Sequence, residues 1–101
     1  MIWNIVIITK EYDKYVDFFR EQKDHIEKWK FTKATTEIYS GFIRILIIKY
    51  TSPYQFLGYK AHLIYADDDL VKNEELQEIL LPCAIYGYRG LLPISSLYLK
   101  I

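Results

Sequence analysis

Cysteine, glycine and proline are scarce in this chain of 101 residues. The cysteine count excludes an internal disulfide, and the glycines form no phosphate-binding loop. The chain has four glycines, three prolines and one cysteine. A lone Cys83 excludes an internal disulfide, and its apolar neighbours suit a buried thiol in a reducing compartment. None of the glycines belongs to the phosphate-binding pattern G-x-x-x-x-G-K-[ST].

The sequence also lacks net charge and long hydrophobic runs. Thirteen basic and thirteen acidic side chains balance, whereas domains that bind phosphate backbones usually carry a positive excess. The first apolar run, Ile2–Thr9, is too short to span a bilayer or to act as a signal peptide. His25, His62 and Cys83 have no partner at zinc-binding spacing. We therefore expect a cytoplasmic protein with no membrane association, for which nucleic acid is not the default partner.

Hydrophobic and aromatic residues are abundant instead. They make up 51% and 17% of the chain, and ten of them are tyrosines. The length fits one domain, residues 1–101, with ample material for a core. Because ten tyrosines exceed the need of one small core, we expect some of them on the surface, where tyrosine is common in protein interfaces. Codon bias from an AT-rich genome explains the same composition equally well.

The amino-terminal half predicts a strand, a long helix and a hairpin. Ile2–Ile8 is a nearly continuous β-branched run, typical of a strand that is buried on both faces. Apolar residues then recur at helical spacing, which predicts a helix over residues 10–29 with Thr9 as its N-cap. Two β-rich segments, Thr35–Ser40 and Phe42–Tyr50, flank Gly41 and predict a β-hairpin.

The carboxy-terminal half adds three shorter elements. They are a strand at Ala61–Ala66, a helix at Glu74–Leu81 capped by Asn73, and a last apolar strand within Leu91–Leu99. The combined order predicts one small α/β domain, with a parallel or mixed sheet of about four to five strands and two helices. A ferredoxin-like α+β fold is the alternative, since it uses similar elements.

The strand Ala61–Ala66 ends in three carboxylates, Asp67, Asp68 and Asp69. An apolar strand that ends in acidic residues resembles the Walker B strand of RecA-like motors, such as the ATPase core of phage terminase large subunits. The preceding hairpin, the loop 52–60 and the later strand Leu91–Ser96 follow the order of elements in that family. The resemblance implies a phage or mobile-element protein with a degenerate ATPase-like fold.

Two departures from that family limit what the resemblance implies. The chain has no phosphate loop, and it carries Asp67-Asp68 where the family usually has Asp-Glu. A magnesium ion held by one or two carboxylates normally needs substrate phosphates to complete its coordination. We therefore predict no catalytic residues and no resident cofactor, and we name Asp67 and Asp68 as the candidate ligands should Mg²⁺ bind.

Aromatic residues in two segments form the favoured candidate site. If the loop 51–60 and the segment 84–90 meet at one edge of the sheet, they form a patch suited to docking another protein. Its members are Tyr50, Tyr54, Phe56, Tyr59, Tyr86 and Tyr88. The alternative is that most of these rings are buried.

Three functions follow from these candidates. The favoured one is a small non-catalytic protein that binds another protein, or a second copy of itself, through the aromatic patch. The second is a metal- or nucleotide-dependent enzyme or subunit that uses Asp67 and Asp68. The third is a nucleic-acid-binding accessory protein, suggested by alternating lysines and aromatics in 28–33, for which a helix end is the simpler explanation.

Overall fold

Six strands and two helices form a mixed α/β domain in the computed structural model, which describes residues 2–52, 60–80, 83 and 90–97. The strands lie in one sheet in the order β2-β3-β4-β1-β5-β6. They are β1 (Trp3–Thr9), β2 (Lys28–Phe31), β3 (Thr35–Ser40), β4 (Ile43–Lys49), β5 (Leu63–Ala66) and β6 (Leu91–Pro93). The helices are α1 (Tyr12–Glu21) and α2 (Glu74–Leu80). The predicted α/β class is confirmed, with one strand more than expected.

The central position of β1 follows from its apolar sequence. It pairs in parallel with β4 on one side and with β5 on the other, and β5 pairs in parallel with β6. Its alternate residues enter two different cores: Val6 and Ile8 pack on the side of α2, while Ile7 packs on the side of α1. A strand covered on both faces needs the continuous apolar run that the sequence shows.

Each helix covers one face of the sheet. Tyr12, Tyr15 and Val16 of α1 are buried against one face. Leu76 and Leu80 of α2 are buried on the other face, as is Cys83. The predicted cap of α2 is confirmed, because the Asn73 side-chain oxygen accepts from the Leu76 backbone N–H at 3.0 Å. Among the described residues, no helix has the length and hydrophobicity that a membrane span requires.

The predicted hairpin is confirmed as the antiparallel pair β3 and β4. Gly41 in its turn has φ of 59°, a left-handed conformation that side chains with a Cβ rarely adopt. The Gly41 N–H donates to a carboxylate oxygen of Glu27 at 3.1 Å, and the Ser40 hydroxyl donates to the His25 carbonyl at 2.6 Å. The turn is therefore held by the segment that precedes β2.

The predicted helix over residues 10–29 is wrong after Glu21. The α-helix ends there, a 3-10 turn covers Lys23–His25, and Lys28 and Trp29 belong to β2, which pairs with β3. The helix also begins later than predicted, with Glu11 as its N-cap. Thr9 is the last residue of β1, although its hydroxyl does accept from the Glu11 N–H at 2.9 Å. The last predicted strand is short as well, since Ile94–Leu97 forms a 3-10 turn after β6.

Candidate functional site

The three consecutive carboxylates lie at the carboxyl edge of the sheet, beside a cavity of about 510 Å³. Parallel strands β1, β5 and β6 all end at this edge, which is where open α/β sheets usually bind their ligands. We call this space the carboxyl-edge cavity. It is lined by Lys10, Glu11, Lys14, Tyr15, Asp67, Asp68, Asp69, Ile94 and Ser95.

Asp67 is buried and makes four hydrogen bonds within the chain. Its carboxylate accepts from the Lys10 backbone N–H at 2.8 Å, and its own N–H donates to the Ile8 carbonyl at 3.2 Å. Its carbonyl accepts from the N–H groups of Leu70 and Val71 at 2.8 and 3.1 Å. This residue therefore joins the end of β5 to β1 and starts the turn that leads to α2.

Asp68 and Asp69 contact different parts of the cavity wall. The Asp68 carboxylate accepts from the Ser95 backbone N–H at 3.3 Å, while Asp69 forms an ion pair with the ammonium of Lys10. The hydrogen bond between Lys10 and Asp69 raises the pKa of Lys10 and lowers the pKa of Asp69, and desolvation opposes both shifts. Both groups are exposed, so solvent screens the pair.

The acidic cluster therefore has three separate structural contacts. Asp67 and Asp68, the candidate magnesium ligands, line the same cavity but each already accepts a hydrogen bond from a different strand end. Within the part of the chain that the structure describes, no three His, Cys, Asp or Glu side chains are grouped to hold a metal ion. Magnesium binding here stays a prediction.

The lysines of this cavity were not predicted as site residues from the sequence. Lys10 and Lys14 come from the end of β1 and the first turn of α1, opposite the aspartates. The signal was present, because residues that follow two parallel strands meet at one edge of the sheet. The cavity thus combines lysines with carboxylates rather than having an acidic lining alone.

Only one member of the aromatic patch falls within the described residues. Tyr50 is partly buried, packs against the core on the α2 side, and donates its backbone N–H to the Thr9 carbonyl at 2.9 Å. The other members, Tyr54, Phe56, Tyr59, Tyr86 and Tyr88, lie outside the described residues. The patch as a whole stays a prediction.

A different apolar surface lies at the opposite, amino edge of the sheet. It consists of Ile2, Trp3, Phe42 and Ile43, whose exposed fractions lie between 42% and 75%. We call these four side chains the amino-edge cluster. Their backbones are neighbours, because Ile2 precedes Trp3, which pairs with Ile43 and donates its N–H to the Phe42 carbonyl at 2.7 Å. It was not predicted from the sequence, which assigned Ile2 to a buried strand and Phe42 to an arm of the hairpin.

Trp3 is held in place by a buried histidine. The rings of Trp3 and His62 have centroids 4.7 Å apart and are tilted by 45°. His62 is fixed in turn, since its Nδ1 accepts from the Asn4 backbone N–H at 2.9 Å. His62 is thus a packed side chain, and its ring limits the rotamers open to Trp3 in the amino-edge cluster.

Comparisons with known proteins give no match from which a function could be assigned. Scans against protein-family models, curated proteins and solved structures find no match to the chain. The resemblance of Asp67-Asp68 and its strand to RecA-like ATPase cores therefore stays a prediction.

Proposed function

We propose that this is a small non-catalytic protein that works by binding another protein through the amino-edge cluster. The observation that carries the proposal is the grouping of four large apolar side chains on the surface of a chain with no net charge. The largest exposed apolar patch of a protein is often functional, and patches above a few hundred Å² mark interaction sites. Isolated exposed side chains would need no such explanation.

The composition of the cluster suits the centre of an interface. Trp3 and Phe42 supply aromatic area, and aromatic anchors contribute most of the binding energy in many interfaces. Trp3 is already held against His62, so binding would order few further rotamers. A stable interface buries about 800 Å² on each partner, more than four part-exposed side chains offer. The partner would therefore cover polar surface around the cluster as well.

A substitution of Phe42 tests the proposal. We would immobilise the wild-type chain and the Phe42→Ser variant, pass a nuclease-treated lysate of the source cells over each, and identify the retained proteins. We expect one stoichiometric protein on the wild-type chain and about thirtyfold weaker retention by the variant, the loss typical of a truncated aromatic anchor. Because Phe42 is mostly exposed, the variant should keep its stability within about 0.5 kcal/mol.

Val71→Ser serves as the matched control. Val71 is partly exposed but lies after β5, at the other edge of the sheet. It should retain the partner as the wild type does, once thermal unfolding shows that both variants are folded. The proposal would be contradicted if the Phe42 variant retained the partner as strongly as the wild type does. It would also be contradicted if the wild-type chain retained no protein. Retention of a second copy of the chain would support binding through the cluster and identify a homo-oligomer.

The second candidate function is that of a metal- or nucleotide-dependent enzyme subunit acting at the carboxyl-edge cavity. Its support is the position of Asp67 and Asp68 at the carboxyl ends of parallel strands. A partner would have to supply the phosphate loop that this chain lacks. Asp68→Asn tests this role, because it keeps the side-chain oxygen that accepts from Ser95 while removing the charge that a cation needs. Mg²⁺-dependent thermal stabilisation of the wild type that this variant loses would favour the second candidate.

The third function is nucleic-acid binding, suggested by the alternating lysines and aromatics in 28–33. The simpler explanation, a helix end, is wrong, because Lys28–Phe31 form β2, where successive side chains point to opposite faces. Stacking and charge neutralisation would then occur on different faces of the sheet. We further propose a cytoplasmic location, which the single and buried cysteine of the chain, Cys83, supports.

A further inference from the structure

The edge strand β2 has features that suit the addition of another strand. Within residues 2–52, 60–80, 83 and 90–97, β2 pairs with β3 alone, which leaves its other side open. Lys28, Lys30 and Phe31 are exposed to solvent, and Trp29 is partly exposed. An open strand edge is a template for pairing with an extended segment of another chain.

The hydrogen-bond register shows which backbone groups of β2 are open. The Thr32 N–H donates to the Thr35 carbonyl at 2.8 Å, so these two residues form a hydrogen-bonded pair. Such pairs alternate along antiparallel strands, which directs the backbone groups of Lys30 towards β3. The N–H and C=O groups of Trp29 and Phe31 then point away from the sheet. Two residues with outward donors and acceptors are enough to begin a ladder with an added strand.

The face of β2 towards α1 is aromatic. Trp29 packs against the core on that side, and the Phe31 ring is half exposed with the Arg20 guanidinium 5.3 Å from its centroid. A cavity of about 310 Å³ lies beside Trp29, lined by Arg20, Ile26, Glu27 and Trp29. An apolar side chain of an added strand would find both a ring surface and a cavity on this face.

The opposite face of β2 is basic. Lys28 and Lys30 project there, and neither forms an ion pair with any other described residue. Glu37, which lies opposite Lys30 on β3, is already paired with Arg44. A second cavity of about 300 Å³ lies on this side, lined by Lys30, Thr32, Thr35, Glu37, Arg44 and Leu46. The Lys28 ammonium lies 5.7 Å from the centroid of the Tyr39 ring, so an acidic side chain of an added strand would meet two ammonium groups that no described carboxylate pairs.

We propose that β2 binds an extended segment of a partner protein in which acidic and apolar residues alternate. The segment would pair with the outward backbone groups of Trp29 and Phe31, with its acidic side chains towards Lys28 and Lys30. Its apolar side chains would lie on the face of Trp29 and Phe31, since alternate residues of a strand point to opposite faces. Main-chain hydrogen bonds would supply affinity, and the two faces would supply specificity.

A second copy of this chain fits the same edge poorly. Antiparallel pairing of two β2 strands about Lys30 would place the two Lys30 side chains opposite each other, and pairing about Trp29 would place Lys28 opposite Lys30. Pairing about Phe31 avoids this but overlaps the two strands at that residue alone. Like charges directly opposite on neighbouring strands are destabilising. The charge pattern therefore favours a different, acidic partner.

A labelled peptide tests the proposal directly. The probe is a capped peptide of about eight residues in which Glu and Val alternate, a length typical of a strand. We expect saturable binding by fluorescence anisotropy, together with slower hydrogen exchange at the Trp29 and Phe31 amides. A peptide of the same composition with all Glu residues at one end should bind at least about tenfold more weakly, because it cannot match both faces.

Charge reversal on β2 supplies the second arm. Lys28→Glu with Lys30→Glu should weaken binding of the alternating peptide by about tenfold or more, and Lys72→Glu, an exposed lysine before α2, should leave it unchanged. Equal binding of the block peptide, or of an oligothymidylate, would overturn the proposal by showing a general polyanion surface. Absence of peptide binding would overturn it too.

The two proposed surfaces can fail separately. The Phe42→Ser variant should bind the alternating peptide as the wild type does, because Phe42 belongs to the amino-edge cluster and not to β2. The strand-addition proposal therefore does not rest on the proposed function.

Discussion

The Asp67 carboxylate accepts a hydrogen bond from the Lys10 backbone N–H at 2.8 Å, across 57 positions of sequence. The contact joins the first residue after β5 to the first residue after β1, two strands that lie side by side in the sheet. Because Asp67 is buried, this carboxylate is part of the framework that shapes the carboxyl-edge cavity. A strand end that resembles a metal site thus has a structural role of its own.

Removing this carboxylate should destabilise the fold. We expect Asp67→Ala to lower the free energy of unfolding by about 2 kcal/mol, the usual effect of losing a hydrogen bond to a charged group. Urea unfolding followed by circular dichroism measures the change. Asp67→Asn should lose less, since its side-chain oxygen can still accept from the Lys10 N–H.

Asp69 provides the control for that measurement. Its ion pair with Lys10 is exposed and screened by solvent, so Asp69→Ala should leave the free energy of unfolding nearly unchanged. A loss at Asp69 as large as the loss at Asp67 would show that the charge of the cluster matters and not the buried hydrogen bond.

The fold could be predicted where local signals and tertiary contacts agree. The apolar run of β1, the turn at Gly41 and the cap at Asn73 each gave the right element. The prediction was wrong for the segment that forms β2, because Ile26 and Trp29 fit a helical spacing that continues from α1. Its pairing with β3 is a long-range contact, and tertiary context of this kind overrides local propensity.

The site could be predicted only in part. Asp67 and Asp68 were placed correctly at a strand end, since an apolar run that stops at charge marks such an end. The opposing Lys10 could be found only once the parallel neighbours β1 and β5 were known. The amino-edge cluster depends on the exposed fraction of Trp3 and Phe42, which no sequence pattern reports.

The turn of the hairpin should tolerate no side chain without cost. Gly41→Ala should destabilise the protein by about 1–2 kcal/mol, because a Cβ disfavours positive φ. The open space around Gly41 excludes a clash with residues other than its chain neighbours as the cause. Gly41→Asn should lose less than Gly41→Ala, since Asn accepts this conformation more readily. The ranking can be measured by thermal unfolding, and equal losses would contradict the conformational explanation.

The thiol of Cys83 should report unfolding. Burial raises the pKa of this thiol, and the side chain is nearly inaccessible, so little reactive thiolate is exposed in the folded state. We expect modification by a disulfide reagent to be slow in buffer and fast in denaturing urea. Asp67→Ala should speed the reaction in buffer by raising the population of open states. A native rate equal to that of the unfolded chain would contradict the burial of Cys83.

Tyr12 should make the protein sensitive to alkali. Its hydroxyl donates to the Thr32 carbonyl at 2.9 Å and contacts the Thr36 hydroxyl at 2.6 Å. Burial raises the pKa of Tyr12, with Asp13 adding to the effect and the Thr36 hydrogen bond opposing it. The folded state therefore binds the Tyr12 proton more tightly than the unfolded state does. The stabilisation that protonated Tyr12 supplies is complete below the ordinary pKa of about 10 and is lost as pH rises through the raised value. Tyr12→Phe should be less stable at neutral pH, and its deficit should shrink above about pH 10. A deficit that stays constant in urea unfolding across this range would contradict the shift.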